Sequence, residues 1–129
     1  MKKILCMLLL LVATSAKLFA QEQLKKALDD FHYQLAFTYH PMADDSNFTP
    51  IRNRSTQLSN AAAEVKRIAD SLGIKRASLV KDVNQLFEKC HALDEAIQKG
   101  TSDDMIRTQL TAIHSEFHEL EDIVNGGEE

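Results

Sequence analysis

The 129-residue chain has no tryptophan, two prolines, four glycines and two cysteines. So little proline and glycine excludes collagen-like or low-complexity organisation and leaves few places where the chain can turn sharply. There is no glycine-rich loop of the kind that cradles nucleotide phosphates. No stretch of useful length alternates apolar and polar residues, which argues against a sheet. Beyond residue 20 no uninterrupted apolar run is long enough to cross a bilayer.

What is present begins with "MKKILCMLLLLVATSAKLFA". Lys2 and Lys3 precede an apolar run from residue 4 to 13, and Ala20 ends a cleavable-looking segment. This is the layout of a secretory signal peptide over residues 1–20, with a soluble exported domain at 21–129 and the periplasm as its expected destination. Cleavage removes three lysines and no acid, so twelve basic residues then face nineteen acidic ones, and the formal charge moves from −4 to −7. An acidic chain without a basic stripe is a poor partner for nucleic acid or anionic lipid and tends to attract cations. No stable membrane insertion is expected after processing. Cys6 leaves with the leader, so Cys90 remains alone and no intramolecular disulfide can form.

The 3.6-residue apolar period predicts four helices. The first spans 22–39 with Leu24, Leu28, Phe31 and Leu35, and Pro41 is expected to close it by disfavouring helical geometry at His40. Thr49-Pro50 then supplies a cap and a preset first position for a helix to Leu72. Its stripe is Ile51, Ser55, Leu58, Ala62, Val65, Ala69 and Leu72, rich in small residues that permit close approach. Gly73 ends it. A third helix over 77–99 carries Leu79, Val83, Leu86, Cys90, Leu93 and Ile97 and stops at Gly100. The fourth opens on "TSDD", whose hydroxyls can cap and whose acids suit a helix N-terminus, and carries Ile106, Leu110, Ile113, Phe117, Leu120 and Val124. The closing "NGGEE" is expected to fray. Short connections between helices of similar length predict an all-α, antiparallel up-down four-helix bundle.

The chemistry of interest lies in the histidines. His32, Ala36 and His40 follow one ridge of the first helix at four-residue steps, and His114 and His118 share a face of the fourth. His32 and His114 each follow directly on a core residue, which sets them at the edge of the buried seam. In an antiparallel bundle the two pairs can approach one another, and neutral imidazoles favour transition metals. His32, His40, His114 and His118 are therefore candidate metal ligands, for zinc, copper or nickel without distinction. Glu116, Glu119 and Glu121 are candidates to orient the rings.

Catalysis is not expected. "HSEFH" places Ser115 where a zinc protease needs its general-base glutamate. No nucleophile–base pattern or paired carboxylates stand out. "FEKCH" has Phe87 where covalent haem attachment requires a first cysteine, so Cys90 reads as a buried free thiol.

In layout the chain resembles the soluble periplasmic cytochromes of the b and c-prime type, signal-bearing four-helix bundles of about this mature length. "LDDFHYQL" resembles the ligand segment of their first helix, with His32 in place of the axial methionine. "SEFHELE" resembles the final segment, with His118 at the axial histidine. The resemblance implies haem b held between His32 and His118, and electron transfer as its consequence. The bare ion accounts better for His40 and His114, which have no task in a cytochrome. A ligand-free interaction bundle is the third expectation, with the histidines as polar edges.

Overall fold

A computed structural model describes residues 2–126. Four helices follow in order: α1 Lys2–Asp45, α2 Thr49–Ser71, α3 Ala77–Gln98 and α4 Asp103–Asn125. Among the described residues there is no strand, and the architecture is an all-α four-helix bundle. Of the expected frayed tail, residues 127–129 lie outside the described residues.

Each helix packs on two neighbours: α1 on α2 and α4, and α3 on α2 and α4. The two diagonal pairs meet only through the core. Arg107 on the first turns of α4 reaches the end of α1, donating to the Met42 carbonyl at 3.3 Å and to Ser46 Oγ at 3.0 Å. At the other end of the same interface His32 faces Glu121, so α1 and α4 run antiparallel. Ser55 near the start of α2 donates to Asp94 near the end of α3 at 2.7 Å, which fixes the same relation for that pair.

The predicted stripes form the core. Phe31, Leu35, Ile51, Val65, Leu86, Ile106, Leu110, Ile113 and Phe117 are fully buried. Leu72 and Val124, expected in the stripes, are only half-buried at the helix ends. Buried apolar surface is worth about 25 cal/mol per Å², and it is the main force that assembles helices of this kind.

The first helix departs from expectation at its end. Pro41 sits inside α1, His40 is helical, and the helix continues to Asp45. Proline here forgoes one backbone hydrogen bond to Phe37, a cost offset by seating Met42, which is 1 % exposed, in the core. The stop comes instead at Ser46, whose positive φ of 52° turns the chain while its N–H bonds to the Met42 carbonyl at 3.1 Å. The second helix also begins differently. Phe48, without a side-chain cap, occupies the N-cap position, and Asn47 Oδ1 accepts from the Thr49 N–H at 3.1 Å. Ser102 caps α4 by accepting from Met105 N–H at 3.3 Å.

At its other end α1 runs without a break through the apolar N-terminal segment. Residues 2–19 are exposed along their whole length, and by length and composition α1 is the one described helix apolar enough to cross a membrane.

Candidate functional site

The two sides of the bundle are built from different materials. Small residues of α2 (Ser55, Ser59, Ala62 and Ala69) are buried in its packed face. The α1–α4 seam is filled by rings. Phe31 and Phe117 meet at the centre, with centroids 5.2 Å apart and planes tilted by 45°. Beside them, toward solvent, lie the rings of His32, Tyr39 and His40 from α1 and of His114 and His118 from α4.

These four histidines form a row. The centroids of His32 and His118 are 5.5 Å apart and nearly perpendicular, those of His118 and His114 are 4.5 Å apart, and those of His114 and His40 are 6.2 Å apart. Helical spacing produces the order: position 40 lies two turns beyond 32, and the antiparallel partner offers 118 and 114 in reverse. The closest approach of polar atoms is between His114 Nε2 and His118 Nε2, at 3.2 Å.

Each ring has its own surroundings. His118 Nδ1 lies 3.3 Å from Glu121 Oε2, and His32 Nδ1 lies 4.0 Å from Glu121 Oε1, so one carboxylate faces both rings. His40 is the most exposed of the four, with Nδ1 3.9 Å from Asp44 Oδ2. His114 stacks face to face on Tyr39, centroids 3.8 Å apart and planes within 10°. Burial holds the His114 ring below the ordinary imidazole pKa, and the neighbouring His118, His40 and His32 push it the same way. Among the described residues no group of three or more His, Cys, Asp or Glu side chains is arranged, as it stands, to hold a metal ion.

The expected carboxylates divide. Glu121 faces the histidines, whereas Glu116 is mostly buried in an ion pair with Lys89 of α3 and Glu119 is exposed along the α3–α4 groove. His91 stands apart on α3, exposed, stacked on Phe87 and 3.7 Å from Glu95. Cys90 is buried with its thiol pushed up to about 12 by burial first and by the charge of Glu116 second, so it is inert as a ligand.

Tyr39 and Asp44 were not singled out from sequence. Tyr39 follows His32 by seven residues, two helical turns, which places it on the same face and would have identified it. Asp44 is four residues after His40 but lies beyond Pro41, where the helix was expected to have ended. No protein-family model, no curated protein and no solved structure matches the chain.

Proposed function

We propose that this is an exported, periplasmic binding protein rather than an enzyme, and that it takes up a divalent transition-metal ion on the α1–α4 seam. The observation that carries this reading is the 3.2 Å separation of His114 Nε2 and His118 Nε2. Two imidazole nitrogens on one tetrahedral ion, each at about 2.0–2.1 Å from it, stand about 3.3 Å apart. The pair thus has ligating spacing before any ion arrives. His32 and His40 flank it and complete the coordination by turning their rings, and an acidic domain favours cation uptake.

Haem b between His32 and His118 is the alternative. Their rings meet edge-on at 87°, and Phe31 and Phe117 fill the interior beside them, so a porphyrin demands repacking of fully buried side chains. A bare ion demands only rotation of half-exposed rings, and it is the preferred reading.

The test is metal analysis with an absorption spectrum on the purified protein, followed by titration with zinc, copper and nickel. One tightly held ion, lost in His114→Ala and His118→Ala and kept in His91→Ala, is the expected result. A Soret band would move the assignment to haem. Protein that retains no metal, and whose melting temperature is unchanged by added metals or haem, overturns both ligand readings, since binding to the native state must stabilise it.

A further inference from the structure

Of the two rings in the closest pair, only one is oriented by a hydrogen bond to a carboxylate. Glu121 holds His118 through its Nδ1. Among the described residues His114 Nδ1 has no such partner, and its only polar contact is the Nε2 contact itself. The last torsion of a histidine is broad, so without a further restraint this ring would swing about its Cβ–Cγ bond and carry Nε2 away from His118.

Tyr39 provides that restraint. Its ring lies flat on the His114 ring at a centroid distance of 3.8 Å and an interplanar angle of 10°. The other imidazole contacts in the row are edge-on, at 87°, 79° and 78°. A face-to-face contact limits rotation about χ2, because turning the imidazole drives its edge into the tyrosine face. Tyr39 is itself half-buried and packed against the core.

We infer that Tyr39 is a positioning residue of the metal site, holding the His114 imidazole with Nε2 directed at the ion through the face of its ring and not through its hydroxyl. This rests on the assignment of His114 and His118 as ligands. The same contact covers one face of the His114 ring. The groups facing His114 are Tyr39 and His40 from α1 and His118 from its own helix, with Asp44 and Glu121 one ring further out.

The test is zinc affinity for the wild-type protein, Tyr39→Phe and Tyr39→Ala, each checked for helix content and melting temperature, with the mobility of the His114 ring followed by NMR in the metal-free proteins. Tyr39→Phe should keep wild-type affinity. Tyr39→Ala should weaken zinc binding by about 10- to 100-fold, the range for partners that orient a ligating ring. It should also leave the His114 ring turning more freely about its Cβ–Cγ bond in the metal-free protein. Equal affinity and an equally restrained His114 ring in Tyr39→Ala overturn the inference, as does Tyr39→Phe behaving like Tyr39→Ala, which would assign the role to the hydroxyl. Wild-type protein that binds none of zinc, copper and nickel fails at the first titration and takes the underlying assignment with it, and where copper or nickel is the ion held, that ion replaces zinc in the comparison. Were Tyr39→Ala too unstable to measure, Tyr39→Leu, which fills space without a flat face, is expected to show the same loss.

Discussion

Glu121 Oε2 lies 3.3 Å from His118 Nδ1, and that contact favours one tautomer of the ring. A carboxylate can only accept, so the neutral His118 holds its hydrogen on Nδ1 and presents a lone pair at Nε2. That lone pair faces His114 Nε2 at 3.2 Å, and on the proposed metal reading it is directed at the ion, with the His114 proton carried on Nδ1. Glu121→Gln should therefore keep the fold but weaken metal binding by about 10- to 100-fold. Titration of the variant, beside unchanged circular dichroism, checks this.

The row of histidines also sets the behaviour in acid. The pKa of His114 is lower in the folded chain than in the unfolded one, so the folded state favours the neutral ring. That contribution to stability is full above the ordinary histidine value of 6.5 and is lost as the pH falls through the lowered folded value. The melting temperature of metal-free protein is expected to drop between pH 7.5 and pH 5. His114→Gln, which cannot charge, should flatten this slope. An equal slope in the variant would remove His114 as its source.

Asp94 acts in a different range. Burial raises its pKa, but hydrogen bonds from Ser55, Thr56 and Gln98 outweigh this, so its carboxyl is held below the usual range. Its contribution is present above the ordinary value of 3.8 and is lost only in stronger acid. Ser55 is 2 % exposed, and Asp94→Ala leaves its hydroxyl without this acceptor. A cost of about 1–3 kcal/mol is expected from urea unfolding at neutral pH.

Pro41 is an interior helix proline whose removal should be favourable. Pro41→Ala restores an N–H to α1 and should stabilise the protein by up to about 3 kcal/mol, the difference in helix preference between the two residues. Chemical denaturation measures it. A destabilised variant would show that the proline ring contributes packing greater than the lost hydrogen bond.

Much of this fold was legible because the stripes are regular. Leu79, Val83, Leu86, Cys90, Leu93 and Ile97 repeat at the helical period, and all are buried. Gly73 and Gly100 stand where the helices stop, with φ of 59° and 83°, a conformation that other residues enter at a cost. The end of α1 was not legible, because the local preference of the residue before proline was overridden by the burial of Met42 one residue later. Within the site, helical spacing brings the four histidines onto one seam. Their ring contacts depend on side-chain torsions that spacing does not determine. The stacking of Tyr39 on His114 and the sharing of Glu121 are of this kind.

The order in which the helices meet has a kinetic consequence. Three interfaces join helices consecutive in the chain, whereas α1 and α4 meet only after the whole intervening bundle has been threaded between them. Closing the longest loop carries the largest entropic cost, and contacts of this kind tend to form late. An ion held between them would act as a clasp fastened at the end of folding. Zinc is then expected to slow unfolding while leaving the folding rate nearly unchanged, a partition that stopped-flow refolding with and without metal would reveal.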